Sequence, residues 1–307
     1  MKQIYLIITA LFLSAQGFAQ GCSDAGFCSL GVLKNNVDDP ASPTRHTLSF
    51  GASYGIGEQS TYTYNPYLEY GAKINDRFAF STKITATYAT GFLGHAFDVG
   101  DVYGSIVYSP KLKSTDNSLS FIGGIKLPLT VSNDKNSDGR PLSLDYQSSV
   151  GTFDAIGGVN YIVNKNWEFD AGLQVPVYNN NKSTYFPDEY IDPRAQKFAP
   201  TNNFRRKSDA LGRVGYYIRF SDSFILKPNL LAIYHIGNDS YEDRFGKRQT
   251  IDGSNGITLN GALTGVQKFK GGNSLEVIVA TPFIARKIRP DGLTREFVLN
   301  VQYNFAW

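Results

Sequence analysis

The stretch NDKNSDGRPLSLD carries oxygen donors at intervals that could wrap a cation. Asp134, Asn136 and Asp138 stand at the first, third and fifth positions, Gly139 at the sixth and Asp145 at the twelfth. Carboxylate and amide oxygens so spaced fold round a hard ion, and the glycine permits the turn, so calcium is the ion that loop 134–145 would take. Two features argue the other way. The last position holds Asp145 where a longer glutamate is usual, and Asp, Asn and Gly also fill ordinary loops. A second candidate is GCSDAGFC, with Cys22 and Cys28 the only thiols of the chain. Two thiols are too few for a metal site, and their spacing is not that of C-x-x-C. In an oxidising compartment they are expected to form a disulfide, with redox or metal chemistry as the alternative. The three histidines, His46, His95 and His235, fall in no recognisable catalytic motif. No nucleophile stands beside a base, so the chain is expected not to be an enzyme.

A larger set of charges is embedded in segments where every second residue is apolar: Glu69, Lys83, Asp101, Lys126, Asp154, Glu168, Asp170, Arg213, Arg219 and Lys227. In TREFVLNVQYNFAW, Phe297, Leu299, Val301, Tyr303, Phe305 and Trp307 share one face, and Glu296, Asn300, Gln302 and Asn304 the other. Trp167, Phe169, Ala171, Leu173 and Val175 alternate in the same way with Glu168, Asp170 and Gln174. Period two over such lengths means strands with one oily and one wet face. Extended along the chain, it predicts about twelve strands: 45–56, 61–74, 77–91, 98–109, 118–130, 152–163, 166–178, 208–220, 223–236, 256–269, 273–284 and 294–307. Short connections rich in Asn, Asp, Gly and Ser alternate with mostly longer ones, including 131–151, 179–207 and 237–255. Tight turns on one side and long loops on the other are the pattern of an outer-membrane barrel. The fold class is therefore all-β: an antiparallel transmembrane β-barrel with an irregular N-terminal segment. A secreted sandwich would also alternate, but would not segregate its loops in this way.

The ends of the chain agree with that class. Residues 1–19 have a basic start, an apolar run from Ile4 to Leu13 and small residues at Gly17 and Ala19. They are expected to be a cleaved signal peptide. Acylation at Cys22 is the other option, but Gln20 and Gly21 make a poor lipobox. Residues 20–44, with Pro40 and Pro43, form an irregular periplasmic segment long enough to act as a plug, and the barrel occupies 45–307. Beyond the leader no apolar run approaches the roughly 20 residues of a spanning helix. Tyrosine (19), phenylalanine (21) and glycine (30) are abundant, as suits strands and tight turns. A net charge of +3 is too small to imply nucleic acid. The expected surroundings are outer-membrane lipid and a small solute, in the outer membrane of a Gram-negative bacterium. The charges above would face the lumen, either as an ion-pair network filling it or as the lining of a solute path.

Two stretches carry a resemblance. VGDVYGSIVYSP opens a strand on Gly100-Asp101, and GGIKLPLT is followed by a polar loop and then LDYQSSVGTFDAIGGVNYIV. This resembles the outer-membrane channels linked to the meta-cleavage pathway of phenol degradation, distant relatives of FadL-type channels. That family has a G-D strand, a K-L-P-T-G strand end and a G-T-G-S-x-D strand start. Lys126, Leu127 and Pro128 match the second element, and Gly151, Thr152, Phe153 and Asp154 approximate the third. Leu129-Thr130 departs from the family's Thr-Gly, and the match covers roughly residues 98 to 178. The resemblance implies passive passage of small hydrophobic or aromatic molecules. The alternative is a structural or accessory barrel in a larger surface complex, meeting protein partners through its long outer loops or the N-terminal segment.

Overall fold

The computed structural model describes residues 45–291 and 296–307. The leader, the segment 20–44 and the Cys22–Cys28 pair lie outside the described residues.

Alternating apolar and polar residues fold into strands β1 (His46–Ile56), β2 (Tyr62–Lys73), β3 (Phe78–Gly91), β4 (Gly94–Tyr108), β5 (Ser118–Pro128), β6 (Thr152–Val163) and β7 (Trp167–Asn179). Next come β8 (Ser208–Tyr216), its short continuation β9 (Ile218–Arg219), β10 (Phe224–Ile236), the loop strands β11 (Ser240–Glu242) and β12 (Arg248–Thr250), β13 (Gly256–Lys268), β14 (Ser274–Ile284) and β15 (Phe297–Ala306). Each wall strand pairs antiparallel with its neighbour in the chain. The ring closes where β15 pairs with β1, Thr47 opposite Ala306 and Ile56 opposite Phe297. With β8 and β9 counted as one strand, this is a closed barrel of twelve. The expected sandwich alternative is thereby set aside.

Closure follows from the alternation. A strand with one oily face and hydrogen-bonding edges can enter hydrocarbon only if both edges are paired. The oily faces look outward: Phe50, Phe121, Phe169, Leu173 and Phe305 are all exposed on the barrel's outside. Aromatic residues concentrate near strand ends. Trp167 packs on Tyr216 with ring centroids 4.8 Å apart, and Trp307 stacks on His46 at 5.8 Å. Such belts suit the two lipid–water interfaces.

The long connections 129–151, 180–207, 237–255 and 285–296 all leave from one end, which is the outer one; the inner end has turns such as 74–77, 164–166 and 220–223. Most strand ends fall within one to three residues of the expected spans, and two larger differences stand out. β4 begins at Gly94, not at 98, because β3 and β4 are joined by the two residues Phe92-Leu93 alone. The turn is possible because Gly94 has φ +138°. It is hard to see in the sequence because Leu93 is apolar, buried beneath the outer loops. The strand expected over 208–220 is interrupted at Tyr217, whose amide instead donates to the Asn166 carbonyl at 2.8 Å.

Trp307 extends the closing seam by three further backbone hydrogen bonds. The Trp307 carbonyl accepts the amides of Arg45 and His46 at 2.9 Å each, and its own amide donates to His46 at 3.0 Å. Deleting Trp307 should lower the amount of assembled, heat-modifiable barrel in outer-membrane fractions several-fold. Unchanged assembly would show that the terminal seam is dispensable.

Candidate functional site

Every second residue of the wall points into the lumen, and the lumen has two unlike halves. From β4 round to β10 many of the inward side chains are large and buried. Tyr103, Ile122, Ile156, Leu211 and Leu231, one from each wall strand except β7, form a buried apolar cluster at mid-height. Charge layers lie above and below it. In the outer layer, Lys126 Nζ is 3.1 Å from Asp154 and 3.7 Å from Asp101, and donates to Thr152 at 2.9 Å. Gln174 donates to the same Asp154 carboxylate. In the inner layer, Arg213 binds Asp170 at 2.7 Å and Glu168 at 3.3 Å, while Lys227 reaches Glu168 at 2.8 Å. Asn160 donates to both carboxylates, at 2.6 Å to Asp170 and 3.2 Å to Glu168. In low dielectric such charges are tolerable only when paired and hydrogen-bonded, as these are.

From β13 through β15 to β3 the inward side chains are smaller and mostly amides or hydroxyls. In this half Ala262, Asn300, Asn304, Ser53, Asn65, Tyr67, Lys83 and Thr85 are half-buried, while Ser49, Glu69, Asn260 and Gln302 beside them are buried. A ladder of hydrogen bonds runs along it. Tyr67 donates to Gln302 at 2.7 Å and Asn300 at 3.0 Å, Ser49 to Asn304 at 2.6 Å, and Asn304 to Ser274 at 3.0 Å. The Lys83 ammonium sits 3.7 Å from the centre of the Tyr67 ring, a cation–π contact.

An inward glycine is required for the reach of Tyr67, and a second lies beneath the inner charge layer. Tyr67 on β2 reaches β15 only by crossing β1 at Gly51, where a Cβ would fall 2.2 Å from its ring. Lys227 on β10 reaches Glu168 on β7 by crossing β8 at Gly215, where a Cβ would fall 3.5 Å from the lysine Cδ and 3.4 Å from the carboxylate. At Gly51 the missing side chain lets a long one bridge two strands away.

The outer end is covered by loops. Leu93, Leu142, Tyr146, Tyr185, Tyr190, Ala195 and Phe198 form one apolar cluster; Leu144, Val150, Phe204 and Ile251 form another, against which Ile288 packs. Burial pushes the Tyr190 hydroxyl up to about 12. Between these loops and the wall lies a buried network absent from the expected site. His235 Nδ1 is 2.6 Å from Asp209, and Nε2 is 2.8 Å from Asp239. Carboxylates only accept, so both ring nitrogens carry hydrogen and the imidazole is cationic in this arrangement. Arg206 pairs with Asp209 and, at 3.5 Å, with Asp291; Arg286 binds Asp291 at 2.9 Å. Burial opposes ionisation of Asp291, yet Arg286 and Arg206 outweigh it and hold that carboxyl well below the usual range. Three carboxylates thus face two guanidiniums and one imidazolium. The sequence signal was His235 standing alone on the inward face of a strand.

The structure places the expected residues as follows. Asp101, Lys126 and Asp154 meet in the outer layer; Glu168, Asp170, Arg213 and Lys227 meet in the inner one. Glu69 and Lys83 are register partners on β2 and β3, in the β13–β3 half. Arg219 lies at the inner rim, exposed, donating to Asn166 at 2.6 Å and to the Lys165 carbonyl at 2.5 Å. In the loop 134–145, Asn136 Oδ1 accepts the amides of Asp138 and Arg140 at 3.0 Å each. Asp145 is buried and accepts from Ser143 at 3.3 Å; burial, with Glu58 nearby, keeps its carboxyl well above the usual range. No three acidic or histidine side chains are grouped to hold a metal among the described residues, so Asp134, Asn136, Asp138 and Asp145 are not brought together as a ligand set.

The outer charge layer makes a stability prediction. Lys126→Met removes the cation between Asp101 and Asp154 and leaves both buried. Denaturant unfolding of the barrel in lipid vesicles should show a loss of about 3–5 kcal/mol. A loss below about 1 kcal/mol would mean that water already reaches this layer.

No family description matches the sequence, and no curated protein matches it either. Solved structures do. An outer-membrane channel from Pseudomonas putida superposes with a TM-score of 0.59 at 13% identity, over 88% of this chain and 98% of that one. The KdgM porin aligns at 0.43 and 10% identity over 85% and 99%, and a Pseudomonas aeruginosa FadL homologue at 0.39 and 10% over 85% and 89%. The first likeness is one of fold, and it agrees with the channel family that the motifs at 98–178 resemble. The closed ring, the outward apolar band and the segregated loops place this barrel in the bacterial outer membrane.

Proposed function

We propose that this protein is a passive outer-membrane channel for small, hydrophobic or aromatic solutes, with the passage running along the β13–β3 half of the lumen. The observation that carries this reading is the contrast in burial. The mid-height apolar cluster and Lys126, Asp154, Glu168 and Asp170 are buried, whereas Asn65, Tyr67, Lys83, Asn300 and Asn304 are half-buried among buried neighbours such as Glu69 and Gln302. A path needs room on one side only, and the small residues Ser53 and Ala262 favour it there, the space at Gly51 being taken by the Tyr67 ring. The ring of Tyr67, held between amides and the Lys83 ammonium, suits an aromatic face flanked by polar groups. The fold likeness to a protein described as an outer-membrane channel, and the motif resemblance, support the same reading.

One feature favours an accessory barrel instead: the outer loops pack into apolar clusters over the mouth. Uptake separates the two readings. Cells of the source bacterium with and without the protein should be compared for accumulation of small aromatic and aliphatic solutes. The channel reading expects faster accumulation of aromatic solutes with the protein present, and a several-fold loss in the variant Ser53→Trp, which obstructs the open half while the barrel still assembles. Identical uptake for every solute would leave the accessory reading in its place.

A further inference from the structure

We propose that the outer rim of the wall at β8 and β10 binds the phosphorylated headgroup of an outer-leaflet glycolipid through Arg205, Lys207 and Arg248. The segment entering β8 alternates sharply. Phe204 and Arg206 are 1% and 5% exposed, whereas Arg205 and Lys207 are exposed on the opposite face. The buried face anchors the segment: Phe204 packs with Leu144, Val150 and Ile251, and Arg206 joins the Asp209–Asp291 network. The backbone is fixed as well. Arg205 exchanges amide hydrogen bonds with Ser240 at 2.8 and 3.1 Å, and the Lys207 amide donates to Asp239 at 2.8 Å. The two cations are therefore displayed outward from a backbone that is itself held firmly.

Arg248, on β12, completes the patch. Its Nη1 donates to the Asn203 carbonyl at 2.7 Å, which brings it to the same segment. Arg205 is close enough that its charge, added to partial burial, lowers the pKa of Arg248. Among the described residues, the carboxylate that pairs with Arg248 is Glu242, at 3.7 Å. No carboxylate of the described residues pairs with Arg205 or Lys207. Two guanidiniums and an ammonium on one outward face, with one acid among them, form a site for a multiply charged anion.

The height of the patch selects a lipid as the source of that anion. Ser208 opposite Ile236 is the last pair between β8 and β10. Just inside it, Tyr234 and Ile236 present outward-facing apolar surface, 50% and 43% exposed. Lys207 immediately precedes Ser208, and a Cβ built at Gly237, at the end of β10, would fall 3.8 Å from its Cγ. Cations therefore begin where the apolar band stops. A phosphorylated lipid fills both at once, with its acyl chains on the band and its phosphates on the rim. A soluble phosphate would use only the second.

The experiment uses the full-length barrel in detergent and native mass spectrometry, with bis-phosphorylated lipid A, fully dephosphorylated lipid A and inorganic phosphate as probes. Wild type should retain the phosphorylated lipid, retain the dephosphorylated one roughly tenfold less well, and keep the former in millimolar phosphate. The double variant Arg205→Gln/Lys207→Gln should lose roughly tenfold in retention of the phosphorylated lipid. The control Lys111→Gln/Lys113→Gln, at the opposite end, should lose nothing. Equal retention of the two lipids by wild type overturns the proposal without recourse to any variant. So does displacement by inorganic phosphate, an unchanged double variant that still shows heat-modifiable mobility, or an equal loss in the control.

Discussion

A peptide group in hydrocarbon has no water to bond, and this requirement governs the whole molecule. Every wall strand must have a partner on each side, so the sheet has to close on itself, and it does so between β15 and β1. Once closed, alternation sends one residue in two to lipid and the next to the lumen. The lipid side then needs apolar residues and edge aromatics. The lumen side must satisfy whatever polar groups it receives. The remaining features, from the ion-pair layers to the loops over the mouth, answer the second demand.

The answer differs around the ring. Between β4 and β10 the lumen is built like a protein core, with apolar side chains between two layers of paired charges. Directly opposed residues supply part of the pairing: Lys126 faces Asp154, and Asp170 faces Arg213. The rest is supplied across strands, over Gly215. Between β13 and β3 the same barrel carries small residues, and amides and hydroxyls that bond along the wall. A barrel of this girth can be filled by its own side chains. Here the apolar filling is concentrated on one half, and the proposed passage runs along the other.

The fold was legible because its signal is local. Period-two alternation and turn residues need no knowledge of partners, and strands such as 152–163 and 274–284 were readable almost to the residue. The Phe92-Leu93 turn was hidden because its residues are apolar, a choice explained only by the loops that bury them. The inward charges were legible as a set, but their pairing depends on register. Nothing in the sequence near Glu168 shows that Lys227 reaches it, since the two meet across the intervening strand β8. The pairing in the His235 network draws on β8, β10 and three outer loops, and so was illegible before the fold. The calcium-like spacing at 134–145 shows the converse. A linear pattern was present, but the loop uses Asn136 to cap its own turn.

The division of the lumen into a packed and an open half is the claim on which the functional account rests, and thiol accessibility tests it most directly. In a background with Cys22 and Cys28 replaced by serine, single cysteines would be introduced by Ser53→Cys and Asn300→Cys on the open half, and by Ile156→Cys and Leu211→Cys on the packed half. The rate of modification by a small water-soluble methanethiosulfonate would then be measured on the folded barrel. The account predicts fast reaction at positions 53 and 300 and reaction at least about a hundredfold slower at 156 and 211, where solvent must wait for local opening. Equal rates at all four positions would contradict it.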